Sequence, residues 1–412
     1  MDACLLLGRT MFHNGATVQR IVDSMNHLRE RFGGTEMHVL VAYDAIIVTD
    51  IRGSRFQTEI DQNRDFAGTN IGALMSIRRL LGSLGESHAS LRDVRDRLLE
   101  IDAKGSATGP VTQCAVFGLT AVSFGVLNGG DAWTACAVFP SAVLIGWLRS
   151  TLMRRKFNLF AATLLATAPG ITLSCVLVGL LPTATPLVAV IAPALTMIPG
   201  FPLVNGGIDI LRNHNSVGLA RIAFAAMLIG TLALAISAPT VVFFGTLRSL
   251  APLVHSHAYL LARDCLAGCV AALLLGKIFN APGKDLWVFG LGGAATVLTR
   301  TSCVLLLGAD LVTATFLSAA AITVVTVVLS RRHLLPPALF AVICVLTMTP
   351  GFLMVSGLSD CFALSRMSAG EIPHELLAST VHTILRAGFI VFAMITGVVF
   401  PVLVLDGRSP RV

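Results

Sequence analysis

The stretch Leu195-Thr196-Met197-Ile198-Pro199-Gly200-Phe201 recurs, with one mismatch, as Leu346-Thr347-Met348-Thr349-Pro350-Gly351-Phe352. The register holds beyond it, where Val204 answers Val355, Gly206 answers Gly357 and Asp209 answers Asp360, and the next helices echo each other in Arg221-x-x-Phe224 and Arg386-x-x-Phe389. Both copies lie in long apolar runs. There, proline removes a backbone donor and crowds the preceding turn, while glycine lets the chain leave helical angles. In lipid the freed backbone groups must find partners in protein or in a water-filled cavity. The repeat therefore predicts two broken helices facing the centre of a membrane protein. Each restarting half-helix would aim a partial positive charge at a ligand. The plainer alternative is a pair of proline kinks that only pack. Pro169-Gly170 has no counterpart in the second half and reads as such a kink.

Composition agrees with a membrane setting. Of 412 residues, 55% are hydrophobic and only 13% charged, about half the charged share of a soluble chain, and the mean hydropathy is +0.79. From Val111 onward ten apolar segments follow, near 111–128, 131–149, 159–180, 183–205, 220–246, 257–279, 285–300, 302–330, 335–358 and 376–405. Most reach the roughly 20 residues that span a bilayer; the seventh is short and Gly-rich. The fold expected is thus a polytopic α-helical membrane protein of about ten transmembrane helices. Residues 111–250 and 251–412 would each form a five-span repeat, and an odd number of spans per repeat makes the two inverted, as in many secondary transporters. With the N-terminal domain in the cytoplasm, Arg149, Arg154, Arg155, Lys156, Lys277, Lys284, Arg331, Arg332, Arg408 and Arg411 fall on the same side, as the positive-inside rule asks.

Residues 1–110 balance their charges and read as a soluble α+β domain. Met11, Val18, Met25 and Phe32 repeat every seven residues beside Leu7, Ile21 and Leu28, which predicts one long amphipathic helix ended by Gly33-Gly34. That helix could pair with another protomer in a homo-oligomer, or pack on its own domain. Strands are expected over Glu36–Tyr43, Ala45–Ile51 and Arg55–Ile60, with turns at Asp44 and Gly53, then helices near Asn70–Gly85 and Ser90–Ile101 and a linker at Gly105–Pro110.

Ionisable groups in lipid cost several kcal/mol and need a reason. Asp209 and Asp360 follow the breaks at the same interval; they are candidates to bind an ammonium group or carry a coupling proton, or else interfacial carboxylates. Arg221 and Arg386 could fork a carboxylate, or snorkel as anchors. Asn205 is either part of the site or satisfied packing. The candidate substrate and ion pathway is thus Pro199, Gly200, Asn205, Asp209, Arg221, Pro350, Gly351, Asp360 and Arg386. Arg263 and Asp264, adjacent on one helix, would point about 100° apart and need other partners. Asp310, placed inside the eighth span with Arg300 just before it, could pair with Arg386 or Arg263. His382, four residues before Arg386, could relay protons.

Several function classes find no support. No G-x-x-x-x-G-K-[ST], GxSxG or HExxH occurs, so neither an ATP motor nor an enzyme is expected within the chain. The nine cysteines form no CxxC pair, and His255-x-His257 is weak evidence for metal; no metal or cofactor is expected. Gly290–Gly293 reads as close helix packing, and the excess of basic residues as lipid-facing anchors rather than a nucleic-acid surface.

Gly8-Arg9, Asn14-Gly15-Ala16 with Val18 and Arg20, the Ala45–Thr49 strand, and above all Pro199-Gly200-Phe201-Pro202-Leu203-Val204-Asn205 with Asp209 and Gly218-x-x-Arg221 make the chain resemble the threonine/serine exporter family. That family includes split two-subunit relatives implicated in succinate export. The resemblance implies ten spans, a cytoplasmic N-terminal domain, an inner-membrane location and export driven by the proton motive force. The second copy departs from the pattern: Leu353 stands where Pro202 does and Ser356 where Asn205 does. Export of threonine or serine is the leading expectation. A C4-dicarboxylate such as succinate is the close alternative, and a gated channel the alternative of another class.

Overall fold

A computed structural model of the chain describes residues 2–33, 37–52, 55–62, 68–84, 90–103, 108–244, 255–330, 337–368, 370 and 372–406. Where the seven-residue spacing predicts one long helix there are two, α1 (Asp2–His13) and α2 (Val18–Arg31). Gly15 adopts φ +86° between them, a left-handed conformation that glycine reaches without a Cβ clash. The chain turns back there, so Leu7, Met11, Val18, Ile21, Met25 and Leu28 all remain buried but from two antiparallel sides. The stripe was legible and the corner was not.

Three antiparallel strands follow in order, β1 (Met37–Val41), β2 (Ala45–Arg52) and β3 (Arg55–Gln62). Ile46 and Val48 are fully buried, and Arg29 pairs with the buried Asp50. The other face carries Leu40, Ile47 and Ile60 in one register row. Two helices close the domain, α3 (Ile71–Ser83), capped by Asn70 on Ala73 N–H at 3.1 Å, and α4 (Leu91–Ala103). Gly34, Gly53 and the centre of the expected linker lie outside the described residues.

The apolar part begins with α5 (Pro110–Leu127), α6 (Ala132–Arg154) and α7 (Leu159–Leu180). Asp131 caps α6 and also accepts from Ala184 N–H at 2.7 Å. Burial opposes its charge, but these backbone donors with the Thr134 and Thr183 hydroxyls outweigh it and hold its carboxyl below the usual carboxylate range. Pro169 leaves α7 one continuous helix. The fourth segment is two helices, α8 (Pro186–Leu195) and α9 (Gly200–Leu211), bent by 67°. Then come α10 (Asn215–Phe244), α11 (His257–Ile278), α12 (Leu286–Leu307) and α13 (Leu311–Ser330). The ninth segment is again two helices, α14 (Pro337–Leu346) and α15 (Gly351–Ser365), whose described parts meet at 55°; α16 (His374–Asp406) ends the described chain. Among the described residues, eight helices are long and apolar enough to cross a membrane, ten if each bent pair counts as one span. The protein is a multi-pass membrane protein with a small sheet near its N-terminus.

Two expectations about the seventh and eighth spans need correcting. The seventh is full length at 22 residues, because α12 continues past Arg300 and stops only at Gly308, which takes φ +64°. Arg300 therefore lies inside a span. Asp310, expected inside the next, is instead its exposed cap, accepting from the N–H groups of Val312 and Thr313 at 2.8 and 3.0 Å. The Gly290–Gly293 reading holds: a methyl on Gly293 would meet Ala272 and the Gly268 carbonyl on α11. Arg331, Arg332, Arg408 and Arg411 lie outside the described residues.

Candidate functional site

The two Pro-Gly breaks meet. A methyl on Gly200 would run into Leu346 at the end of α14, and one on Gly351 into Ile198, in the break between α8 and α9. Each half thus presses its break against the other half's break or the helix end just before it. Between them lies a cavity of about 310 Å³, at the lower end of the roughly 300–1,000 Å³ of small-molecule sites. Gly200, Pro350 and Gly351 line it, while Pro199 precedes α9 at the rim of the break.

The polar lining comes mostly from the second half. Arg263, Asp264, Arg300 and Thr301 face the cavity. Arg263 folds back on its own neighbour: its Nε and Nη2 both donate to Asp264 Oδ1, at 2.9 and 2.7 Å. A flexible side chain on the same helix overcomes the 100° offset that had suggested separate partners. Thr301 donates to Asp264 Oδ2 at 3.1 Å. Arg300 reaches only the Met348 carbonyl, at 3.5 Å. Thr196 and Thr349, one at each break, also line the cavity, and each has a buried hydroxyl without a hydrogen-bond partner.

Asn205, Asp209, Arg221, Asp360 and Arg386 are absent from this lining. The first three are brought together elsewhere, under the N-terminal domain. Arg221 Nη1 donates to Asp209 Oδ2 at 2.9 Å and Nη2 to the Ala16 carbonyl at 2.7 Å. Val18 N–H donates to Asp209 Oδ1 at 2.9 Å. Asn205 Nδ2 donates to the Gly15 carbonyl at 2.8 Å, and the Arg221 guanidinium lies over the Phe12 ring. Asp209 and Arg221 are both buried. The corner between α1 and α2 is thus a plug: its carbonyls accept from Asn205 and Arg221, and its returning helix starts on Asp209. Thr17 makes no side-chain cap for α2, so the membrane part supplies an acceptor for the orphan first amide.

A second seam lies alongside. Ile71 N–H donates to the Phe279 carbonyl at 2.8 Å, Gly72 sits against the Asn280 carbonyl, and Arg79 approaches Asp285 at 3.8 Å. Within the domain, burial pulls the Arg20 guanidinium down to about 10, with repulsion from Arg78 adding to it.

The equivalent residues of the second half are not brought together. Ser356 turns onto the Leu353 carbonyl at 3.3 Å. Asp360 is half-buried and Arg386 exposed, and neither forms a salt bridge among the described residues. His382 is exposed on α16. No group of three or more metal-ligating side chains occurs among the described residues.

Known proteins place this arrangement in context. Residues 2–242 match a family described as "Putative threonine/serine exporter", and residues 264–404 one described as "Threonine/Serine exporter, ThrE". The chain is similar to the "Probable succinate transporter subunit YjjP" of Escherichia coli K12, at 26% identity over 55% of this chain and 87% of the relative. Its namesake from Klebsiella aerogenes is 24% identical over 55% and 86%. No solved structure matches the chain.

Proposed function

This chain belongs to the threonine/serine exporter family, and on that premise we propose that it is a secondary transporter exporting a small polar metabolite across the inner membrane. Threonine and serine come first, in keeping with the family; succinate or a similar C4-dicarboxylate is the alternative that the curated relatives favour. The two five-span halves are inverted repeats, the N-terminal domain is cytoplasmic, and the proton gradient drives export. The observation that carries this reading is the cavity between two reciprocally packed helix breaks. Such a site at the interface of two repeats serves alternating access by rocking one half against the other. Pro199-Gly200 and Pro350-Gly351 are its hinges. Asn205, Asp209 and Arg221 form the contact through which the domain controls one mouth, and Asp360 and Arg386 belong to the opposite mouth.

Efflux from cells overproducing the chain, preloaded with labelled threonine, serine or succinate, tests the proposal. The expected result is saturable efflux that collapses with a protonophore. Efflux that neither saturates nor responds to the protonophore would favour a channel, and no efflux of any of the three would overturn the exporter reading.

A further inference from the structure

We infer that Arg300 is the carboxylate-anchoring residue of the central cavity, and that the cavity takes a small organic carboxylate. That this ligand is the transported cargo rests on the exporter reading; that Arg300 holds it rests on the charge and hydrogen-bond inventory of the cavity.

Among the described residues, the lining carries two guanidinium groups, Arg263 and Arg300, and one carboxylate, Asp264. Asp264 is committed: Oδ1 takes two donors from Arg263 and Oδ2 takes the Thr301 hydroxyl. Arg263 is thereby neutralised. Arg300 is left with five N–H donors against one carbonyl at 3.5 Å, and it has no salt bridge among the described residues. The contrast with Arg221 in the same protein is informative. There the cation is neutralised by Asp209 and shares a second donor with the Ala16 carbonyl, as a structural arginine inside a membrane protein needs. Arg300 also lies within a helix and lines the cavity; Asp264 is near enough to act on its charge, but the Asp264 oxygens are taken by Arg263 and Thr301, and no hydrogen bond joins Asp264 to Arg300 among the described residues. A planar guanidinium matches a carboxylate bidentately. The unpartnered hydroxyls of Thr196 and Thr349 stand on the same walls, one from each break. At about 310 Å³ the cavity holds roughly ten waters' worth of volume, enough for a four-carbon acid and its solvation. A lone surplus positive charge asks for one carboxylate; threonine and serine each bring one, and succinate brings two, of which one would meet Arg300.

The test uses purified full-length protein in detergent, with its thermal unfolding midpoint followed against rising threonine, serine, succinate, threoninamide and succinamide. At least one of the acids should raise the wild-type midpoint, and the carboxamides, which lack the carboxylate, should not. Arg300→Gln should weaken the response about ten- to a hundredfold, the range expected for one charge-assisted contact. Arg300→Lys should keep part of it. Without ligand, Arg300→Gln should unfold at the wild-type midpoint or above, because no hydrogen-bonded counter-ion is stranded; Arg221→Gln should unfold lower. A response to the amino acids alone, or to succinate alone, identifies the source and upholds the anchor. An equal response to the carboxamides, an unchanged response in Arg300→Gln, no response of wild type to any acid, or an Arg300→Gln midpoint as low as that of Arg221→Gln would overturn it. The exporter reading fails separately: acid binding that depends on Arg300 without any efflux would remove transport but keep the site, and undiminished efflux by Arg300→Gln would do the reverse.

Discussion

Nearly the same heptapeptide straddles the break in each bent span, yet the two copies meet different surroundings. After the first break, α9 and α10 present Asn205, Asp209 and Arg221 to the α1–α2 corner, and every one of them is engaged. After the second break, α15 and α16 present Ser356, Asp360 and Arg386, and Arg386 is exposed. The shared part of the motif shapes backbone: Pro-Gly ends one helix, starts the next and brings each break against the other half. The residues that follow it serve whatever covers that half. Duplication thus supplies two helix breaks, and the N-terminal residues make the surroundings of the first unlike those of the second.

The largest effect should come from severing the plug. Asp209→Ala strands the Arg221 guanidinium and the Val18 amide together. Breaking a buried pair by removing one partner costs about 3–5 kcal/mol, so the unfolding midpoint should fall clearly and the N-terminal domain should become accessible to limited proteolysis. Asp209→Asn, which keeps an acceptor but loses the charge, should fall less. The charge swap Asp209→Arg with Arg221→Asp should not rescue, because the domain offers an N–H to one residue and a carbonyl to the other. Full rescue by the swap would mean that only mutual attraction matters, and that the domain is not held through these atoms.

Gly72 gives a gentler way to lift the domain without touching a charge. A Cβ there collides with the Asn280 carbonyl, which is backbone and cannot rotate away. Gly72→Ala should therefore open the seam by part of an ångström, costing about 1–3 kcal/mol as overpacking does. The expected readout is faster proteolytic release of the domain, with the membrane part's own unfolding little changed. If the domain stays as protected as in wild type, the seam yields easily and the plug alone holds it.

How much of this could be read from the chain follows from what each feature depends on. The breaks were legible because Pro-Gly inside an apolar run acts locally, and all three strands because alternation does too. The α1–α2 corner was missed because the apolar stripe keeps its period across it; only Gly15 marked the turn. Asp209 and Arg221 were legible as charges that need partners, but besides each other they meet backbone groups 191 and 205 residues away, and no local pattern encodes those contacts. Arg300 was hidden by a boundary placed too early: cutting the seventh span at residue 300 turned a charge inside a helix into a charge in a loop. The uninterrupted run Val304–Leu307 up to Gly308 was the signal for a later stop.

The smallest effect is expected in the second half, and it sharpens the comparison most. Asp360 and Arg386 make no salt bridge among the described residues, so neither Asp360→Asn nor Arg386→Gln strands a buried partner, and each should shift the midpoint by no more than about 0.5 kcal/mol, as surface substitutions do. Each single change should also add to the other, since residues that share no contact couple weakly; Asp209 and Arg221, measured in the same cycle, should couple by more than about 1 kcal/mol. Strong coupling between Asp360 and Arg386 would show that the two close on each other in another conformation, and the second mouth would then use the same carboxylate–guanidinium latch as the first, without a domain to hold it shut.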